Sequence, residues 1–179
     1  MLTKFEYPIE VKQDAAGFYL VTFPDLPEAA TDGKTLEEAL REAADCLAEA
    51  LAGRIVDAEP IPEPSPVRRG QYQIAPEATL ALKIALNQGL AARKMKAADL
   101  ARLLDCDHKE ARRLLDPREA SKEPRLAEAL AALGYGVRMA LYDATKNERL
   151  LSAPVARVPH REKWGKTVRV EGKRKPAAA

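Results

Sequence analysis

The sequence predicts an α+β chain. A small α/β unit, an antiparallel sheet with one helix, precedes an all-α domain that closes on a short strand. Three observations carry this. Two apolar runs, at 7–11 and 18–23, flank a short turn-forming stretch. A capped, alanine- and leucine-rich stretch follows from Thr35. Past a proline-rich passage, several short apolar-periodic segments with caps of their own run up to Gly134. The expected division is a first domain at 1–66, a linker at 67–76, a helical domain at 77–144 and a basic, flexible tail at 145–179.

Tyr7, Ile9 and Val11 share one face of the first strand, while Glu10 and Lys12 point the other way. That is the period-2 pattern of a half-buried strand. Asp14-Ala15-Ala16-Gly17 supplies the hairpin connection, with Gly17 free to take positive φ. The second run, Phe18-Tyr19-Leu20-Val21-Thr22-Phe23, is apolar on both faces and suits an interior strand. Pro24 and Pro27 cannot donate to a ladder, so pairing should stop there. A short third strand is expected around 28–31.

The helix that follows is marked by Thr35 and Glu38, which have capping-box spacing. Leu36, Leu40, Ala43, Leu47 and Leu51 recur at helical spacing and are expected to cover the sheet. Glu37, Glu38, Glu42, Asp45 and Glu49 are left largely outside. Two readings fit that acidic face: a solvated surface, or a docking surface for a basic protein.

Residues 58–76, with prolines at 60, 62, 64, 66 and 76, read as a semi-rigid spacer. Pro76 suits the first turn of a helix running to about Lys94. A helix over 97–104 should turn Leu100, Leu103 and Leu104 inward. Asp105-Cys106-Asp107 makes a tight turn, and Asp107 with Glu110 has capping-box spacing for a further helix in which Ala111, Leu114 and Leu115 face the core. Pro117 stops that helix. A last helix over 124–133 buries Leu126, Ala129, Leu130 and Leu133, with Gly134 at its C-terminal end. Val137, Met139 and Leu141 then alternate with polar or small residues, the signature of a strand. A lone strand needs a partner for its backbone, so a homodimer or higher oligomer is expected there.

The net charge of +2 conceals a strong asymmetry. Residues 1–66 carry 5 Lys/Arg against 14 Asp/Glu, residues 67–144 carry 14 against 10, and residues 145–179 carry 10 against 3. An acidic unit followed by basic ones points to two different partners, the second a nucleic acid. Cys46 and Cys106 fall in separate predicted domains, which argues for reduced thiols rather than a disulfide framework. With no secretory signal pattern at the N-terminus and no run of about 20 apolar residues, the expectation is a soluble, cytoplasmic protein without a membrane partner.

Ala98-Asp99-Leu100-Ala101-Arg102-Leu103-Leu104, a three-residue turn and Lys109-Glu110-Ala111-Arg112-Arg113-Leu114-Leu115 have helix-turn-helix form. The second helix would lie in a major groove and aim His108, Lys109, Arg112 and Arg113 at base edges. Lys and Arg suit guanine O6/N7, Arg in a bidentate way. Lys94 and Lys96 are candidates for phosphate contacts, which position without reading sequence. The bland alternative is a set of cations that solvates a helical bundle.

Signals for catalysis are poor. With only His108 and His160, no Cys/His metal cluster can be assembled, and no nucleophile elbow, glycine-rich phosphate loop or cofactor motif occurs. Asp14, Asp25 and Asp32 lie at loop positions where acidic residues form turns more often than they gather round a metal. No catalytic or metal site and no cofactor are therefore assigned. In the tail, a solvated extension and a phosphate-tracking arm both fit the cations, and Trp164 between Lys163 and Lys166 is a candidate for base stacking.

Tyr7-Pro8-Ile9, the run Gly17 to Pro27 with its Phe23-Pro24-Asp25-Leu26-Pro27, Asp32-Gly33-Lys34-Thr35-Leu36-Glu37-Glu38-Ala39 and Pro60-Ile61-Pro62-Glu63-Pro64-Ser65 together resemble the HicB family of antitoxins. The resemblance is close over 5–66. Residues 79–142 are similar to the helix-turn-helix many HicB proteins carry. What the resemblance implies is a partial RNase H-like fold at the N-terminus, neutralisation of a HicA-like, mRNA-cleaving toxin, and repression of the operon by a dimer bound to operator DNA. Glu28-Ala29 stands where family members often have Gly-Cys. Two rivals are a stand-alone transcriptional regulator whose N-terminal module binds another ligand or protein, and a metal-dependent nuclease using Asp25 and Asp32.

Overall fold

The computed structural model describes residues 4–138 and the backbone of residues 150–152. Three antiparallel strands open the chain: β1 (Tyr7–Gln13), β2 (Tyr19–Thr22) and β3 (Ala30–Gly33). Helix α1 (Leu36–Val56) and strand β4 (Tyr72–Ala75) complete the unit. Four helices follow, α2 (Ala78–Ala92), α3 (Ala97–Leu103), α4 (His108–Leu115) and α5 (Glu123–Ala132), and then strand β5 (Leu150–Ser152). The chain is thus mixed α and β, with the strands in the order β3-β2-β1-β4-β5. The first four are antiparallel, and β5 joins β4 in parallel.

Register follows the apolar pattern. Val11 pairs with Val21 and Tyr7 with Ile74. This brings Tyr7, Ile9, Val21 and Ile74 onto the face that α1 covers with Ala39, Ala43, Ala44, Leu47 and Leu51. Ala43, Leu47 and Leu51 are buried as expected, whereas Leu36 and Leu40 are only half-buried, and the small Ala39 takes the closest position beside β3. Small residues are needed because β3 runs tight against the helix. A Cβ on Gly33 would lie 2.4 Å from the Ala39 backbone nitrogen. Backbone cannot move aside as a flexible side chain can, so Gly33→Ala is expected to cost about 1–3 kcal/mol of stability through overpacking. Urea unfolding measures this, and an unchanged midpoint would contradict the packing.

The hairpin turn forms as expected. The Asp14 amide donates to the Phe18 carbonyl at 2.8 Å, Asp14 Oδ1 accepts from the Ala16 and Phe18 amides, and Gly17 sits at φ +90. Pairing ends at Thr22, before Pro24. Strand β2 is interior in the strand order, yet among the described residues the sheet is covered on one side, and Leu20 is 43% exposed. Strand β3 begins two residues later than expected.

Four expectations need correction. The segment read as a spacer contains β4, which pairs with β1, and Pro76 lies before α2 rather than in its first turn. Its alternating Tyr72 and Ile74 are too brief for a periodicity signal; pairing with an existing strand stabilises them. Within the tail expected to be basic and flexible, Leu150–Ser152 is a strand on β4, where it satisfies backbone groups that an edge would leave unpaired. The strand expected at 137–141 is absent at Val137 and Arg138, and the rest of it lies outside the described residues. The same is true of Trp164.

Four of the five described helices end in a common way. At α1, α2, α3 and α5 the amide two residues past the C-cap reaches back to a carbonyl in the last turn: Glu59 to Arg54, Met95 to Leu90, Cys106 to Ala101 and Tyr135 to Leu130. This is the Schellman arrangement. At three of the four ends the left-handed position is held by a residue other than glycine: Ala58, Lys94 or Asp105. Those ends therefore lack the usual glycine signal.

Two cores result. One joins the sheet to α1, and the other joins Leu86, Leu90, Leu100, Ala101, Ala111, Leu114, Leu126, Ala129, Leu130 and Leu133. Helix α2 belongs to both, giving Ile84 to the first and Leu86 and Leu90 to the second.

Candidate functional site

The α3–α4 pair is built around small residues. Ala101 and Ala111 are buried between Leu100 and Leu114, which lets the helices approach closely. Asp107 caps α4 by accepting from the Glu110 amide at 2.7 Å. The reciprocal bond of a capping box is replaced, because the Glu110 carboxylate accepts from Arg125 at 2.7 Å. Arg125 also pairs with Glu128 at 2.7 Å, and these two carboxylates raise its pKa. Contrary to expectation, Leu103 is 45% exposed.

Opposite the buried Ala111 and Leu114, His108, Lys109, Arg112 and Arg113 are all exposed. Positions 108/112 and 109/113 are one helical turn apart, so the four form one contiguous face, on which Lys109, Arg112 and Arg113 supply the positive charge. Lys94 and Lys96 are exposed too, but in the connection between α2 and α3 rather than on α4. The Lys96 amide donates to Asp99 Oδ2 at 2.7 Å, which fixes the start of α3. Arg102, on the same helix, pairs with Asp99.

The acidic residues of α1 divide by their local work. Glu38 both donates its amide to Thr35 Oγ1 and accepts from the Lys34 amide at 2.9 Å, so the carboxylate closes the cap one residue earlier than a capping box would. Glu42 lies 3.3 Å from Arg41. Asp45 and Glu49 are exposed, as is Glu37. Glu38, Glu42, Asp45 and Glu49 follow one another at intervals of four, three and four, a single stripe along the helix.

Sequence reading missed what the proline segment does. The Tyr7 hydroxyl donates to the Pro62 carbonyl at 2.9 Å, Asp25 Oδ2 accepts from the Ser65 amide at 2.9 Å, and Arg54 donates to the Pro60 carbonyl at 2.6 Å. Arg54 also grips Glu28 through two bonds, at 2.6 and 3.0 Å, and lowers the Glu28 pKa. The segment is a strap bound to the first core, with Ile61 packed against it. It links two stretches that look unrelated in sequence.

Burial, helped by the charge of Asp25, raises the Tyr7 pKa from 10.0 to about 12. The unfolded chain sheds that proton near 10.0 and the folded one only near 12, so the folded state holds more protons in between. The stability it contributes is complete below the first value and is lost as pH rises through the second. Tyr7→Phe should therefore show a shallower alkaline loss of stability than the parent protein in urea unfolding at successive pH values. Parallel pH profiles would contradict it.

Cys46 donates to the Ala30 carbonyl at 3.7 Å and packs on the first core, and burial raises its pKa. Burial likewise raises that of Cys106. Among the described residues no three His, Cys, Asp or Glu gather as metal ligands, and no helix is long and apolar enough to cross a membrane. Asp14 and Asp25 are occupied by the turn and the strap, while Asp32 is exposed on β3.

Residues 6–85 match a family described as the HicB-like antitoxin of bacterial toxin–antitoxin systems. That span runs from the start of β1 into α2, and so includes the strap. Antitoxin HicB 2 of Photorhabdus laumondii is 36% identical over 134 residues, covering 75% of this chain and 94% of that protein. Antitoxin HicB of Escherichia coli K12 is 33% identical over 128 residues, covering 72% and 93%. Antitoxin HicB 1 of P. laumondii is 30% identical over 141 residues, covering 79% and 90%. At those coverages the similarity extends beyond the strap and into the helices.

Proposed function

Because this chain belongs to the HicB-like antitoxins of bacterial toxin–antitoxin systems, we propose that it neutralises a HicA-like, mRNA-cleaving toxin and represses its own operon. The observation that carries the proposal is the separation of charge onto the outward faces of two helices: an acidic stripe on α1 and a cationic face on α4. The acidic stripe suits a basic ribonuclease, since opposite charge speeds encounter and suppresses wrong partners. The cationic face on the second helix of a tight pair suits a major groove, with Lys94 and Lys96 on phosphates. We read α3 and α4 as a helix-turn-helix in a domain that begins near residue 77, and the sheet with α1 as a partial RNase H-like unit. The three-stranded meander and the helix on one sheet face support the latter. Operator half-sites would be bound by a homodimer or higher oligomer in the cytoplasm.

The deciding experiment is co-expression with a small basic reading frame encoded beside this one. Growth arrest caused by that partner should be relieved when this chain is present. Persistent arrest, with operator binding intact, would leave a transcriptional regulator and remove the antitoxin.

A further inference from the structure

Lys83 lies in an otherwise apolar stretch of α2, Leu80-Ala81-Leu82-Lys83-Ile84-Ala85-Leu86, and is 1% exposed. Its ammonium donates to three backbone carbonyls, Arg113 at 2.9 Å, Asp116 at 2.5 Å and Glu119 at 2.6 Å. An ammonium has three donors, so all are used. Burial pulls the Lys83 pKa down, against the opposing charges of Asp116 and Glu119 and with that of Arg113.

The need for this lysine arises from Pro117. In a continuing helix the Arg113 carbonyl would accept from the amide four residues on. That residue is Pro117, which has no N–H. Lys83 supplies the missing donor from another helix. Asn87, one turn along α2, donates to the Leu115 carbonyl at 2.9 Å, and Ser121 Oγ adds a second donor to Arg113 at 3.3 Å. Arg125 of α5 holds the opposite end of α4 through Glu110.

We propose that Lys83 is a positioning residue for DNA recognition, setting the angle at which α4 presents Arg112 and Arg113. This rests on the reading of α4 as the DNA-reading helix. Lys83 is buried beneath α4, so it acts through the helix and not on a phosphate. Recognition geometries tolerate displacements of only about 0.5 Å. A tilt of α4 would therefore damage base reading while leaving charge-driven binding to the backbone nearly intact.

The test uses the full chain, a duplex enriched from a random pool by the unaltered protein, and an unrelated duplex of equal length. Lys83→Met is expected to lower the ratio of specific to nonspecific affinity at least tenfold. Nonspecific affinity and its salt dependence should stay within twofold. A ratio equal to that of the parent overturns the inference even where the melting temperature falls, because general destabilisation does not alter a ratio measured on folded protein. Should circular dichroism show Lys83→Met unfolded, Asn87→Ala is read in its place, with a threefold drop supporting the inference and an unchanged ratio overturning it. If the parent protein enriches no sequence, the DNA reading itself falls and takes this inference with it. That failure is distinct from one in which the parent is specific and the variant equally so.

Discussion

Replacing Arg112 and Arg113 together by glutamate is expected to abolish specific DNA binding, with an affinity loss of at least about a hundredfold. Each bidentate contact to a guanine edge contributes about 1–3 kcal/mol of discrimination, and two would be lost. The new carboxylates would also face phosphates. Both side chains are exposed and neither side chain holds a structural contact described above, so the core they sit above is untouched. The cost to the fold is a weakened helix-dipole interaction in the last turn of α4, about 0.3–1 kcal/mol for each charge. Circular dichroism should therefore show a folded protein. Fluorescence anisotropy against the enriched duplex is the measurement, and retained specific binding would reduce the cationic face to a solvated surface.

The second large effect concerns α1. The triple substitution Glu42→Lys, Asp45→Lys, Glu49→Lys reverses the acidic stripe but spares Glu38, whose carboxylate closes the helix N-terminus. Electrostatic steering raises association rates by about 10- to 1,000-fold, so a cationic toxin should associate more slowly with the variant by about that factor at low salt. The deficit should shrink as salt screens the charges. Loss of the Arg41–Glu42 pair matters little, since exposed pairs contribute about 0–1 kcal/mol. In cells, growth arrest should persist in the presence of the variant. An unchanged association rate measured by stopped flow would place the docking surface elsewhere.

How much of this was legible depends on the range of each interaction. The hairpin at Asp14–Gly17, the cap at Thr35, the cap at Asp107 and the stop at Pro117 were all readable, because each is formed by residues a few positions apart. The cationic face of α4 was readable for the same reason: it needs only helical spacing. In α1, Ala43, Leu47 and Leu51 face inward as helical spacing predicts, while Leu36 and Leu40 are only half-buried because the close approach of Gly33 favours the small Ala39 at that end. Strands β4 and β5 were missed because three or four residues carry too little periodicity to be seen alone. Helix ends at Ala58, Lys94 and Asp105 lacked the glycine that would have marked them.

Local chemistry in the sequence was enough to determine the α+β class, the caps, most helix positions, the charge division and the family motifs. Tertiary structure alone decided that Asp25 and Ser65 are partners, that the proline segment is a strap, and that α2 serves both cores. It also decided that Lys83 replaces the donor Pro117 lacks. The reason is the same in each case. These bonds join residues 30 to 55 positions apart, and a buried polar group finds its partner only once the chain has closed around it.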